Sequence, residues 1–127
     1  MEDELVDLLM AAPAVSALIG ARVYWGERPQ GGDLPAIVLH LVGGGEGATL
    51  SGGDGLEICR VQVDAWSATP RGSIDLRRAI TRTLQGYAGG GFRGIFEDGR
   101  RMDRAGGTNE EQRPWRASVD FVTNWKG

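Results

Sequence analysis

Two aspartates, Asp64 and Asp120, are the residues whose type and placement come closest to acid–base chemistry. Each lies in a segment in which apolar and polar residues alternate, and each falls on the polar side of its segment. Two carboxylates that meet on one sheet face can serve as general acid and general base. Arg60 and Arg116 occupy the same polar sides, however, and charged side chains are exposed by default. We therefore favour a solvated, charge-paired sheet face over a catalytic pair.

The single histidine and the single cysteine offer little further chemistry. His40 lies within the apolar run AIVLHLV, where an isolated histidine is more often a hydrogen-bonded structural residue than a catalyst or a ligand. Cys59 shares the apolar side of its segment with Val61 and Val63, which predicts a core position. A lone cysteine forms neither an intrachain disulfide nor a zinc site. The sequence predicts no catalytic, cofactor-binding or metal-binding residues.

Two glycine-rich segments match nucleotide-binding loops only in their letters. The segment 43–55 reads GGGEGATLSGGDG and begins with the pattern G-x-G-x-x-A, while residues 89–94 fit G-x-G-x-x-G. A dinucleotide-binding loop must follow a strand and open a helix whose first turn faces the pyrophosphate. The first segment instead leads into a strand pattern, and the second follows a helix pattern. Neither segment is predicted to bind phosphate.

Length and charge restrict the class of protein. The chain has 127 residues, which suits one domain over 1–127, and a net charge of −3 at pH 7, whereas free-standing nucleic-acid binders are usually basic. No apolar run approaches the roughly 20 residues that span a bilayer. The N-terminus, MEDELVDLL, is acidic where a signal peptide would be basic. We expect a protein made in the cytoplasm, with no membrane partner.

Hydrophobic periodicity gives the element order α, β, β, β, α, β, β. An amphipathic helix is predicted over about residues 3–18, with a kink or break at Pro13 and an end at Gly20. A second helix begins with Thr69 as N-cap and Pro70 as its first residue, and ends at the glycine cluster 89–91. Strands are predicted over residues 22–25, 36–42, 56–66, 92–96 and 115–125.

This order predicts an α+β fold in one domain, with a mostly antiparallel sheet of about four to five strands. Both helices are expected on one face of the sheet. The second helix turns an apolar stripe to the sheet and carries Arg71, Arg77, Arg78 and Arg82 on its opposite face. The segments 43–55 and 97–114 each join neighbouring strands, so both are predicted to form long hairpin arms.

The two arms are the strongest candidates for contact with other proteins. Dense glycine costs backbone entropy on ordering and provides no side chains to pack, so the first arm needs a partner to order it. Structureless loops beyond about 12–15 residues are usually functional or disordered. The predicted interface residues lie on both arms and at the start of the last strand: Glu46, Leu50, Asp54, Arg100, Arg101, Met102, Arg104 and Trp115.

An ordered set of segments resembles the tail completion, or tail terminator, proteins of long-tailed phages and prophage-derived particles. The segments are DLLMAAPAVSALIGARVYWGERPQG, LPAIVLHLVGG, ICRVQVDAWSATP leading into the arginine-rich helix, and WRASVDFVTNW. The resemblance implies a virion protein that forms a ring, commonly of six copies. That ring would cap the tail tube, stop tail polymerisation and join the tail to the head connector or stopper, with DNA passing through its lumen.

Other interpretations remain open at this stage. A neighbouring virion role, as a head–tail connector or a tail-tube subunit, would use the same kind of subunit. A small enzyme would depend on Asp64 and Asp120. A small protein-binding module would depend on the arms alone. The resemblance favours a structural virion protein without enzymatic activity, cofactor or metal.

Overall fold

A computed structural model describes residues 1–29, 32–42, 50–51, 57–104 and 114–126 of the chain. The described elements, in chain order, are α1 (Glu2–Ala11), α2 (Pro13–Ile19), β1 (Val23–Trp25), β2 (Ala36–Leu41), β3 (Leu50–Ser51), β4 (Glu57–Ser67), α3 (Pro70–Leu84), β5 (Phe92–Arg104) and β6 (Trp115–Trp125). They form one sheet in the order β1-β2-β4-β6-β5, and the short β3 also pairs with β4. Every pairing is antiparallel except β1 with β2. The predicted α+β fold with a mostly antiparallel sheet is confirmed.

The predicted N-terminal helix is two helices. Ala12 has extended backbone angles, with φ −80° and ψ 116°, which end α1 after Ala11. Pro13 then begins α2, where its missing N–H costs no helical hydrogen bond. Gly20 ends α2 with a φ of 60°, a conformation that favours glycine. The predicted break at Pro13 and the predicted end at Gly20 are both confirmed.

The second predicted helix, α3, begins as expected and ends early. The Thr69 side chain accepts a hydrogen bond from the backbone N–H of Gly72 at 3.0 Å, which caps the first turn. The helix stops at Leu84 because Gln85 adopts extended angles and Gly86 a φ of 76°. The glycine cluster 89–91 therefore follows the helix at a distance and does not end it.

All three described helices pack on one face of the sheet. Their apolar residues and the alternate residues of the strands form a single buried cluster. The cluster comprises Leu5, Leu9, Val15, Ile19, Ile37, Leu39, Val61, Val63, Ala65, Leu76, Ala79, Ile80, Leu84, Phe92, Ile95, Ala117, Val119 and Phe121. Cys59 is also buried, as its position in the alternation predicts. The opposite face of the sheet carries mostly polar and charged side chains.

The second arm is shorter than the sequence predicts. Strand β5 continues to Arg104 and pairs with β6. Its residues 97–104 were predicted to leave the sheet. The register shifts between Glu97 and Arg100, and Gly99 lies inside that irregular stretch with a φ of 130°. The prediction of a polar arm is therefore wrong over residues 97–104. Residues 105–113 of that arm lie outside the described residues.

The first arm lies mostly outside the described residues. Its flanking strands, β2 and β4, are antiparallel neighbours, as a hairpin requires. Of the arm itself, Leu50 pairs with Ile58 and Ser51 pairs with Glu57. Two of the predicted interface residues, Glu46 and Asp54, fall among the residues that are not described. Among the described helices, none combines the length and the hydropathy needed to cross a bilayer.

The first helix is fastened to the end of the last strand by Glu4. Its carboxylate accepts hydrogen bonds from the backbone N–H of Gly91, at 2.9 Å to Oε1, and from the indole N–H of Trp125. The hydrogen bond from Gly91 and then that from Trp125 favour the ionised form, so the pKa of Glu4 lies below its ordinary value of 4.5. We call Glu4, Gly91 and Trp125 the terminal clamp.

Replacing Glu4 with glutamine is expected to make the unfolding free energy of the protein change less between neutral and acidic pH. A carboxylate with a lowered pKa in the folded state stabilises the fold above pH 4.5 and loses that contribution as the pH falls through its folded pKa. The gap in unfolding free energy between wild type and Glu4→Gln should therefore be widest near neutral pH and close in acid. Urea unfolding over a pH series measures it.

The control for this prediction is Asp3→Asn, which removes the same charge from an exposed position in the same turn of α1. It reports the general effect of one lost charge near the helix N-terminus. A Glu4→Gln gap that stays constant with pH, or that follows the Asp3→Asn gap, would show that the clamp does not depend on the carboxylate charge.

Candidate functional site

The sheet face opposite the helices, called here the open face, is lined with polar and charged side chains. Strand alternation places them there, because residues two apart along a strand share a face. The cross-strand pairs His40–Gln62, Asp64–Ser118, Gln62–Asp120 and Arg101–Ser118 bring β2, β4, β6 and β5 together on this face. The predicted alternation of β4 and β6 is thus confirmed.

Asp64 is the most enclosed charge on the open face. Its side chain is fully buried, and its Oδ1 accepts hydrogen bonds from Ser118 Oγ at 2.6 Å and Gln62 Nε2 at 2.7 Å. His40 Nε2 lies 3.2 Å from the other oxygen, Oδ2, and Arg116 Nη1 lies 3.7 Å from it. The predicted counter-charge, Arg116, is confirmed, and so is the structural hydrogen bond of His40. The predicted solvation of Asp64 is wrong, because side chains from both neighbouring strands cover it.

Asp120 belongs to a more open ion-pair group. Its Oδ2 lies 3.4 Å from Arg101 Nη1 and 3.7 Å from Arg60 Nη2, and Arg60 also bonds Asp98. Arg101 continues the group by donating a hydrogen bond of 2.6 Å to Gln62 Oε1. Each of the two aspartates that suggested acid–base chemistry is thus held by its own guanidinium partners. Carboxylates engaged in this way suit an ion-pair network rather than a proton-transferring pair.

Arg116 joins the network to the end of the β5–β6 hairpin. Its Nε donates to Asp103 Oδ1 at 2.8 Å, and its Nη2 donates to Oδ2, which is the bidentate geometry of strong charge-assisted hydrogen bonds. These bonds lower the pKa of Asp103 and raise that of Arg116. The guanidinium carbon also lies 5.4 Å from the ring centroid of Trp66, and Arg28 lies 5.4 Å from the same ring. The hairpin is therefore tied to the centre of the sheet.

The predicted interface residues of the second arm do not form one patch. Arg101 lies on the open face, whereas Arg100 pairs with Val119 and so points to the helix side of the sheet. Met102 pairs with Ala117 and is 36% exposed. Arg104 lies with its guanidinium carbon 5.1 Å from the ring centroid of Trp115. Their role as an interface stays a prediction, but the fold assigns them to two opposite surfaces.

On the helix side, Arg100 contributes to a basic cleft that the sequence did not reveal. The cleft has a volume of about 510 Å³ and lies between α3 and β5. Its lining residues are Arg77, Arg78, Thr81, Arg82, Gln85, Glu97 and Arg100. The arginine-rich face of the second helix was visible as a pattern in the sequence. The addition of Arg100 was not, because residues 97–104 had been predicted to form an arm.

A smaller cleft lies beside the open face, near the end of β1. It has a volume of about 320 Å³ and is lined by Gly26, Glu27, Arg28, Pro29, Val38, His40, Asp64, Trp66 and Arg116. The Asp64 carboxylate and the His40 imidazole in this cleft are already engaged with each other, and Glu27 adds a second carboxylate to its lining. Over the described parts of the chain, no cluster of three or more His, Cys, Asp or Glu side chains could hold a metal ion.

Comparison with solved structures identifies a close match in fold. A chain of the structure described as "Virion of native gene transfer agent (GTA) particle" aligns over 97% of this chain and 92% of its own length, with a TM-score of 0.69. The two sequences are 20% identical, so the match shows a shared fold. Among curated proteins, no sequence matches this chain.

Comparison with protein families gives a match over most of the chain. The family described as Tail completion protein gp17 matches residues 3–123, which is nearly the whole sequence. The match includes all the segments on which the resemblance was based, from the N-terminal helix to most of the closing strand. The protein therefore belongs to the tail completion protein gp17 family.

Proposed function

We propose that this chain forms a ring that ends the tail tube of a phage-type particle and joins the tail to the head. The observation that carries the proposal is the family match over residues 3–123, since the family is one of structural tail proteins. The fold shared with a chain of a gene transfer agent virion supports the same setting. The position of the protein is the head-proximal end of the tail.

The shape and charge of the subunit support a role in assembly. Charged side chains occupy both the open face and the outer side of α3, so the subunit offers different surfaces to different neighbours. Contacts between unlike surfaces of identical subunits generate closed rings when the rotation closes. A ring of six copies, stacked on the tail tube protein and facing the connector or stopper protein, is the arrangement we propose.

DNA would meet this ring only in transit. The net charge of −3 gives the subunit no general attraction for a polyanion. A channel that bound phosphates through many cationic side chains would retain the DNA, because each neutralised phosphate adds to affinity. We propose that the lumen is lined with acidic and neutral side chains, so that DNA passes without being held. A ring structure with an arginine-lined channel would contradict this.

The proposed function is tested by deleting the gene from the element that encodes it and examining the particles by electron microscopy. Filled heads separated from tails, and tails of irregular or excessive length, are expected, and the wild-type gene supplied in trans should restore joined particles. Normally joined particles after deletion would refute the proposal. Gold labelling of the protein along the whole tail, rather than at its head-proximal end, would make it a tube subunit instead.

A further inference from the structure

The outer surface of α3 carries a ridge formed by Arg78 and Arg82. Both residues line the basic cleft between α3 and β5. Both also line a second cleft, of about 360 Å³, between α2 and α3. The second cleft has an apolar wall of Ala14, Ala17 and Leu18, and Leu18 is 40% exposed. The cleft is also lined by Arg71 and Asp75, which pair with each other at 3.1 Å. The ridge thus separates a charged groove from a groove with an apolar wall.

The positive charge at this ridge is poorly balanced within the subunit. In the basic cleft, Glu97 lies 3.6 Å from Arg100 and is the only acidic residue among the described residues that line the cleft. Over the described residues, no carboxylate lies within 4.0 Å of Arg78, Arg82 or the neighbouring Arg77. Partial burial, and then the nearby charges of Arg100 and Arg78, lower the pKa of Arg77. Guanidinium groups that repel one another favour the approach of an anionic partner.

A surface of complementary charge and shape is present on α1. Asp3, Asp7 and Met10 are exposed and fall on one side of the helix, because residues three and four apart are neighbours on a helix surface. Met10 is 39% exposed, while Leu5 and Leu9 face the core. Asp3 and Asp7 are thus free of the terminal clamp, which uses Glu4. We call Asp3, Asp7 and Met10 the acidic face of α1.

We propose that the acidic face of α1 in one subunit docks on the Arg78–Arg82 ridge of a second copy of this chain. The spacing matches, because both pairs of charges are four residues apart, or about 6 Å along a helix axis. Two helices lying side by side can therefore form two ion pairs at once. Met10 of the docked helix would then lie against the apolar wall at Ala17 and Leu18.

This contact joins two different surfaces, so it can repeat from subunit to subunit around a ring. It rests on the proposed function, since it assigns one of the contacts by which that ring closes. It also explains why α1 is fastened by the terminal clamp: a helix that presents a docking surface must be held in a fixed position on its own subunit.

The test is a charge exchange in particles made without the resident gene and supplied with variants in trans. Arg78→Glu with Arg82→Glu should reduce joined particles at least about tenfold, because like charges would then face each other at the contact. Asp3→Arg with Asp7→Arg should do the same. Combining all four substitutions should restore joining, since the ion pairs are re-formed with opposite polarity. Arg93→Glu, at an exposed arginine that lines neither cleft, is the matched control and should join normally.

Several outcomes would overturn the inference. Normal joining by Arg78→Glu with Arg82→Glu would show that the ridge makes no essential contact, and the proposed function would stand if the wild-type gene still restored joining. A second outcome is that joining stays defective when the α1 exchange is added, in variants whose circular dichroism melting curves match wild type. The ridge would then contact a different protein and not α1 of a second copy. Binding of duplex DNA by the purified wild-type protein, lost in the Arg78→Glu, Arg82→Glu variant, would assign it to nucleic acid.

Discussion

Replacing Asp64 with alanine is expected to lower the free energy of unfolding by about 1–3 kcal/mol, the cost of leaving a buried hydrogen-bond donor without its acceptor. The substitution removes the acceptor of the Ser118 and Gln62 hydrogen bonds and leaves Arg116 without the carboxylate 3.7 Å away. Ser118 is itself buried, so water does not easily replace the lost partner. Equilibrium unfolding in urea at neutral pH measures the change.

Two further variants identify the cause of this loss. Asp64→Asn keeps the size of the side chain and an oxygen acceptor, so it should recover part of the stability while lacking the charge that faces Arg116. Asp75→Ala removes a carboxylate from an exposed pair with Arg71, 3.1 Å away, and should cost about 0–1 kcal/mol. If Asp64→Ala costs no more than Asp75→Ala, the network around Asp64 does not stabilise the sheet.

The position of Asp64 could be predicted from sequence, but its burial could not. Alternation in β4 assigns it to the polar face, and the structure agrees. Its burial depends on the side chains of β2 and β6 that lie beside it. Strand register determines those neighbours, and His40 and Ser118 are 24 and 54 residues away from Asp64 in the sequence. Short-range periodicity contains no information about such pairs.

The full length of β5 was hidden by its composition. Residues 97–104 carry charges at most positions, whereas the predicted strands alternate between apolar and polar residues. β5 lies at one edge of the described sheet and pairs only with β6, so most of its outer half is exposed on both faces. Charged side chains on an edge strand also discourage unwanted pairing. The sequence pattern of such a strand predicts a loop, because the pairing with β6 that makes it a strand is not visible in the sequence.

Local sequence patterns also failed to group the residues of the candidate interface correctly. The sequence grouped Arg100, Arg101 and Met102 because they are consecutive, but consecutive strand residues face opposite ways. Arg101 therefore joins the Asp120 group on the open face, and Arg100 joins the arginines of α3. Helices, capping residues and central strands were predictable because their signals are local. Surfaces assembled from several elements required the fold.

A second large loss of stability is expected from Gly91→Ala. A Cβ atom at this position would lie 2.7 Å from Trp125 Cε2 and 2.9 Å from Glu4 Oε2, closer than real side chains approach. Either the indole or the carboxylate must move, and both belong to the terminal clamp. Overpacking of this kind costs about 1–3 kcal/mol, and disturbing the Glu4 hydrogen bonds adds to it. Thermal and urea unfolding measure the change.

Gly94→Ala is the matched control for this prediction. Its added Cβ would meet the ring of Phe96, with Cε2 at 2.6 Å, but that ring is 50% exposed and can rotate into solvent. The two variants therefore add the same methyl group at the start of β5, Gly91→Ala just before the strand and against the clamp, and Gly94→Ala within the strand and against a movable ring. Equal losses from both would show that Gly91 is not constrained by the clamp.

Combining Gly91→Ala with Glu4→Gln separates the clamp from general crowding. If the alanine acts by displacing the Glu4 carboxylate, the glutamine substitution should cost less in the Gly91→Ala background than in wild type, because part of the interaction is already lost. Additive losses would mean that the methyl group acts only on the indole of Trp125. The same double variant should also join heads to tails less well. In that variant α1 is no longer fastened to β6, so Asp3 and Asp7 would not be held in a fixed position for docking.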